Sequence, residues 1–269
     1  SIRCVETPTE AEAQDVVFLT MKSHQLPAIA AGIAPLLGPG TIVVTATNGL
    51  PWWYFHGLDL TDTTPLDCVD PGGVLWRHIG PERAVGAVVF PAAHIVRPGV
   101  VAHVFGTRVS LGEPNGASTE RVQALAAALE AAGFTETNCA NIRADLWTKL
   151  IANAAYNPVN ILTGGTLGEL LDDSGTHGAF ECLMNECMAV ALAHGVSPLM
   201  PPSEILARTR DYAAHKTSML QDLEAGHTVE LDPIVGAVHE LAGRLGVDTP
   251  ALALVLALAR QRARLAGCY

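Results

Sequence analysis

Arg143-Ala-Asp-Leu-Trp-Thr-Lys149-Leu-Ile-Ala-Asn153-Ala-Ala-Tyr-Asn157-Pro158 sets a lysine and two asparagines inside an otherwise apolar run. Lys149, Asn153 and Asn157 recur at i, i+4, i+8, so a helix stacks them on one slowly drifting face. Leu146, Trp147, Leu150, Ile151, Ala152, Ala154 and Ala155 surround them, the composition of a helix buried on most sides. An ammonium in such a place needs partners or a task. One reading pairs Lys149 with Asp145 one turn earlier and leaves the asparagines as satisfied core amides. The other makes the stripe a wall of a polar pocket.

The whole sequence narrows the choice. Its 269 residues suffice for two moderate domains. With 49% hydrophobic and 16% charged residues it describes a folded globule. A net charge of -11, with no Lys/Arg cluster to offset it, argues against a nucleic-acid partner. Cys4, Cys68, Cys139, Cys182, Cys187 and Cys268 form no C-x-x-C pair and join no His motif, so no metal site is expected and reduced thiols are the simplest account. No apolar run reaches the roughly 20 residues of a membrane span and no leader opens the sequence, which reads as cytoplasmic with no membrane partner.

Upstream of the central stretch the pattern alternates. Ser1 to Val5 reads as a short strand, Thr7 to Gln14 as an acidic helical turn, and Asp15 to Thr20 as a strand of the kind buried on both faces. Gln25 to Leu37 reads as a helix stopped by Gly38-Pro39-Gly40, and Thr41 to Ala46 as a second buried strand. Strand, helix, strand is a βαβ unit with parallel strands, and ligands in such sheets sit beyond the strands' carboxyl ends. Lys22 and Asn48 occupy those two ends; an ordinary turn and a solvated loop lysine explain them equally well. Trp52, Trp53, Tyr54 and Phe55 follow, read as packing between domains or as lining that reshapes a pocket. Ala84 to Phe90, Val100 to Phe105 and Arg108 to Leu111 read as strands finishing the same sheet, Thr119 to Ala132 as an amphipathic helix, and Thr135 to Cys139 as a short strand.

From about residue 140 every segment reads as helical, so the domain boundary is placed there: 1–140 α/β, 141–269 all-α. Helices are expected over 142–162, 168–172, 178–193, 202–223, 230–245 and 250–266, the last capped by Thr249. Ser218 and Asp222 share a face, Gly226 breaks the helix, and Glu230 begins the next. Each has an ordinary structural explanation, as a back-bonded serine or a carboxylate at a helix start. Together, Lys149, Asn153, Asn157, Ser218 and Glu230 make an inventory suited to holding a 2-oxo acid and protonating its carbonyl.

In this order and spacing, Asp15-Val-Val-Phe-Leu-Thr-Met-Lys22-Ser, Thr47-Asn48-Gly49, Ile142 to Lys149, Asn153, Asn157-Pro158, and Ser218 to Asp222 with Glu230 resemble the ketopantoate reductase family over nearly the full length. The resemblance implies an N-terminal Rossmann-type domain, a C-terminal helical domain, and an active site in the cleft between them. It implies NADPH-dependent reduction of ketopantoate to pantoate, a step toward pantothenate and coenzyme A. By this likeness Lys149 is the general acid and Glu230 the acidic partner near cofactor and active site. Asn153, Asn157 and Ser218 match substrate-binding positions, Asn48 one shared between substrate and nicotinamide ribose, and Lys22 a cofactor-side loop. Asp222 is assigned structure before function.

The sequence departs from the family at its front. Neither Gly38-Pro-Gly40 nor Gly164-Gly-Thr-Leu-Gly168 follows a strand, so the glycine-rich loop and its βαβ unit are missing. The buried character of 15–20 leads to the expectation that the sequence is the retained part of a longer enzyme. Two alternatives stand beside ketopantoate reduction: an NAD(P)-dependent enzyme of another 2-oxo or 2-hydroxy acid, and a cofactor-free binding or dimerisation module. The apolar length from Ala251 to Leu258 suits a homodimer as well as an internal core helix.

Overall fold

The computed structural model describes residues 3–269, in two compact units that divide between residues 145 and 146. It has an α/β unit of Rossmann type followed by an all-helical one. In the first, β1 (Gln14–Leu19), β2 (Leu37–Thr45), β3 (Ala84–Val89) and β6 (Val109–Gly112) form one sheet in the order β1-β2-β3-β6. The first two pairings are parallel and the last antiparallel. Thr119 accepts from the Val122 amide and caps α3 (Glu120–Ala131). That helix lays Val122, Leu125 and Ala126 on Ile42, Val44, Val85, Ala87, Val109 and Leu111, burying one sheet face.

Several local expectations fail for identifiable reasons. The expected 25–37 helix shrinks to α1 (Leu26–Ile29), flanked by 3-10 turns Ser23–Gln25 and Ala34–Leu36. Pro35 lacks an amide hydrogen and disfavours the helical region at Ala34. Gly38-Pro39-Gly40 lies inside β2, where the register jumps from Gln14–Leu37 to Val16–Ile42. Thr41 Oγ1 pins this bulge, donating to the Gln14 carbonyl at 2.6 Å and accepting from the Gly38 amide at 2.7 Å. Along β1 burial alternates, with Val17 and Leu19 inside, Val16 partly buried against the α3 core and Phe18 43% exposed, so one face of this strand is buried and the other only partly covered. Val100–Phe105 (β5) does not extend the main sheet. It pairs with Ala92–Arg97 (β4), a strand the sequence analysis does not include, in a separate two-stranded ribbon. Residues 135–139 make only isolated bridges to β6 and its neighbour Arg108, and Arg3 to Val5 form no strand. Ser1 and Ile2 of that expected strand lie outside the described residues.

Trp52, Trp53, Tyr54 and Phe55 are all buried. Trp52 Nε1 donates to Thr45 Oγ1 at 3.0 Å. Arg143 holds the same segment, donating to the Tyr54 and His56 carbonyls at 2.6 and 2.7 Å and to the Pro114 carbonyl. α2 (Val74–Ile79) follows, its first amides satisfied by the buried carboxylate of Asp70.

The second unit is built around α4 (Ile142–Thr163), inside whose first turn the unit boundary falls. α5 (Leu167–Asp172), α6 (Ser174–Ala193), α7 (Pro202–Thr209), α8 (Ser218–Glu224), α9 (Ala237–Leu245) and α10 (Pro250–Leu265) complete it. The expected 202–223 helix breaks between α7 and α8. There the Ala213 and His215 carbonyls turn away to accept from the Gly168 and Leu167 amides, at 2.7 and 2.9 Å. A Cβ at Gly168 would stand 2.9 Å from that of Ala213, so glycine permits the approach. The helix after Glu230 opens as a π-turn, Asp232–Gly236. Thr249 precedes α10 without capping it. Glu186 does that from α6, its two carboxylate oxygens accepting from Ala251 and Leu252 at 2.9 and 2.8 Å.

Two substitutions test this packing. A Cβ at Gly86 on β3 would fall 2.8 Å from both Trp53 and Ile142. Gly86→Ala is therefore expected to lower unfolding free energy by about 1–3 kcal/mol in a urea titration. Glu113 is buried and receives Arg121 Nε and Nη2 at 2.6 Å each and Thr119 Oγ1 at 2.6 Å. Burial opposes its ionisation, but these bonds prevail and hold its carboxyl below the ordinary 4.5. Its stabilisation is complete above that value and is lost as pH falls through the lower folded value. Glu113→Gln should be less stable than the parent at pH 7, and the gap should narrow as pH drops below 4.5 in the same titration.

Candidate functional site

In the first unit, parallel pairing places Leu19 opposite Thr45 and brings the carboxyl ends of β1 and β2 side by side. The Ala46 amide donates to the Leu19 carbonyl at 2.9 Å, tying the two exits together. Lys22 leaves the first in an extended conformation. It is half-buried, its amide bound to Gln25 Oε1 at 3.1 Å as the 3-10 turn begins. Asn48 leaves the second, also half-buried, followed by Gly49 at φ 89°, a turn that suits glycine. The two residues thus sit on neighbouring loops at the end of the sheet where ligands of parallel folds collect.

In the second unit, Lys149, Asn153 and Asn157 lie on one continuous helix, α4, as their spacing requires. Asn157 is 3% exposed, while Lys149 and Asn153 are half-buried beside buried Leu150, Ile151, Ala154 and Ala155. The lysine stem is thus packed less deeply than the sequence suggests. Asp145 is fully buried, and its Oδ1 accepts from Arg108 at 2.7 Å. Pro158 sits inside the helix and removes one bond from it. Near its C-terminal half, Tyr156 donates to Thr209 Oγ1 at 2.9 Å, and burial pushes the phenol up to about 12.

Ser218 is the first residue of α8 and is exposed, whereas Met219, Leu220 and Leu223 are buried. It is not the mid-helix serine expected. Thr217 precedes it and caps the helix by accepting from the Leu220 amide. Asp222 faces His227 at 3.6 Å, and its carbonyl accepts from the His227 amide, a turn-closing role consistent with structure before function. Glu230 is half-buried between buried Val229 and Leu231. Its segment is fixed on both sides: the Val229 amide donates to the Cys268 carbonyl, and Asp232 binds Arg260 at 2.6 Å and Tyr269 Oη at 2.9 Å.

Two residues that sequence reasoning passed over join these parts. Asn160, fully buried on α4, accepts through Oδ1 from the Thr217 amide at 2.9 Å and its hydroxyl at 2.8 Å. Its Nδ2 donates to the Gly165 carbonyl at 2.6 Å. Ser218 is thereby tethered, through its neighbour Thr217, to the helix that carries Lys149, Asn153 and Asn157. The signal was present: Asn160 stands eleven residues after Lys149, about 20° from it on an ideal helix. Among the described residues no helix is long and apolar enough to cross a membrane.

Comparison with known proteins gives two family matches. Residues 2–116 match the description "Ketopantoate reductase PanE/ApbA" and residues 141–263 "Ketopantoate reductase PanE/ApbA C terminal". A protein of Mesorhizobium japonicum named 2-dehydropantoate 2-reductase is 43% identical over 269 residues, covering 100% of this chain and 82% of the relative. A protein of Halobacterium salinarum with the same name is 28% identical over 260 residues, 94% of this chain and 77% of the relative. Among solved structures, one from Ralstonia solanacearum MolK2, described as a candidate ketopantoate reductase, superposes with a TM-score of 0.95 at 36% identity. It is matched over 82% of its length by 100% of this chain.

Proposed function

The chain belongs to the ketopantoate reductase family, oxidoreductases acting on 2-oxo acids, and from this we propose that it reduces ketopantoate to pantoate with NADPH in the cytoplasm, toward pantothenate and coenzyme A. The observation that carries the reading is the polar stripe Lys149, Asn153, Asn157 on one largely buried helix, to which Asn160 and Thr217 tether Ser218. Residues 1–140 are the cofactor-binding domain and residues 141–269 the catalytic, substrate-binding one.

The ends of β1 and β2 fit a dinucleotide, since parallel strands end there in two polar loops. Lys22 and Asn48 would hold it, with Asn48 shared between substrate and ribose and Glu230 on its nicotinamide side. When bound, the reduced nicotinamide supplies the hydride. Lys149 donates its proton to the keto oxygen, so that ketone, hydride and proton together make the alcohol. Asn153, Asn157 and Ser218 offer neutral donors and acceptors that hold the acid's carboxylate and hydroxyl and orient the carbonyl toward Lys149. Glu230 serves as the acidic partner, carried on a segment that Asp232, Arg260 and Tyr269 hold rigidly. A homodimer is part of the proposal. Leu252, Leu256 and Ala259 of α10 face inward, while Leu254 and Leu258, one turn apart, are 61% and 51% exposed and available to a second copy.

NADPH consumption with ketopantoate tests the reaction in the complete gene product. Wild-type turnover is expected, with a kcat about 10²–10⁴-fold lower for Lys149→Ala. Binding of NADPH without turnover would redirect the search to another 2-oxo acid, and failure to bind it would sink the reductase reading. Light scattering on a sizing column should give twice the chain mass. Leu258→Glu should shift it to the monomer, and a monomeric parent would refute the dimer.

A further inference from the structure

We infer that Asn160 is a positioning residue for the substrate site, fixing where Ser218 stands by clamping the residue before it. The inference rests on the proposed role of Ser218 in gripping the 2-oxo acid.

The carboxamide of Asn160 is fully buried and engaged at both ends. Its oxygen takes both donors of Thr217, and its nitrogen is spent on the Gly165 carbonyl. The partners settle its orientation, since an amide hydrogen needs the oxygen and a carbonyl needs the nitrogen. Gly165 lies just beyond the end of α4, where Gly164 at φ 77° turns the chain. One side chain therefore binds the exit of α4 to the entrance of α8. A simple cap for α8 does not require this, because Thr217 Oγ1 already accepts from Leu220. The extra bond from the Thr217 hydroxyl to Asn160 fixes its rotamer, and the bond from the Thr217 amide fixes the backbone one residue before Ser218. Buried Met219, Leu220 and Leu223 set the roll of α8; Asn160 sets where it starts. About eleven residues of helical rise, roughly 16 Å, separate Asn160 from Lys149, so it acts at a distance from the proposed reacting atoms.

The test is a double-mutant cycle on the complete gene product, measuring NADPH consumption against ketopantoate concentration for Ser218→Ala, Asn160→Leu and the pair. Asn160→Leu is expected to raise KM about tenfold while kcat changes less than about threefold and NADPH affinity holds. The pair should be no worse than Asn160→Leu alone, because the serine contact is already misplaced. Thr217→Ser should behave as the parent, whereas Thr217→Val, which keeps the backbone bond but loses both the hydroxyl's bond to Asn160 and its cap on Leu220, should raise KM in the same direction. If Asn160→Leu does not fold, Thr217→Val combined with Ser218→Ala gives the same cycle. Losses in KM that multiply independently would overturn the inference and leave the reaction standing. An unchanged KM in Ser218→Ala would overturn both the reading of Ser218 and the inference.

Discussion

A helix buried along most of its length must satisfy its polar side chains with little help from water, and α4 carries four on one stripe, Asn157 and Asn160 buried and Lys149 and Asn153 half-buried. Lys149, Asn153, Asn157 and Asn160 stand among buried Leu150, Ile151, Ala154, Ala155, Val159 and Ile161. A buried amide left unmatched forfeits about 1–3 kcal/mol, so each position constrains what packs against it. At Asn160 this constraint is visible in full: three hydrogen bonds recruit the Gly165 turn and the start of α8. The break between α7 and α8 follows. Continuing that helix would take the Ala213 and His215 carbonyls from the amides of α5 and Thr217 from Asn160.

Much of the arrangement was legible because it rests on periodicity. The i, i+4, i+8 stripe, the strand at 84–89, the helices at 120–131 and 250–265 and the two classes of architecture announce themselves through spacing. What escaped depends on partners distant in sequence or on burial that a window of residues does not show. Strand β4, Ala92–Arg97, is nearly all exposed and pairs only with β5, so it lacks the alternation that marks a half-buried strand. The cap of α10 comes from Glu186, 65 residues earlier than Ala251. Thr217 meets Asn160 across 57 residues.

The same contrast holds for the site. Residue type and spacing pointed to Lys149, Asn153 and Asn157 together, since one helix fixes their mutual placement. Ser218 and Glu230 were legible as types but not as positions, because a broken helix and a π-turn decide where they stand. Arg143 lay inside the quoted stretch and was left without a task. Its guanidinium, depressed in basicity by burial, donates to the Tyr54 and His56 carbonyls and lies over the Trp53 and Tyr54 rings, and so it organises the aromatic segment that follows Asn48.

Charge completes the reasoning about the stripe. The chain carries a net charge of -11, so an anionic acid approaches a surface that on balance repels it. A site for such an acid needs a local cation, and along the stripe only Lys149 supplies one. Replacing its neighbours by further lysines would strengthen attraction but would also crowd like charges in a partly desolvated place, favouring loss of a proton from one of them. Carboxylates there would repel the substrate. Amides avoid both faults: the side chains of Asn153 and Asn157 are able to donate to a carboxylate and accept from a hydroxyl without adding charge to the stripe. At Asn160, where no ligand is required, the same side chain serves structure, because its one acceptor and one donor end match a backbone amide on one side and a carbonyl on the other.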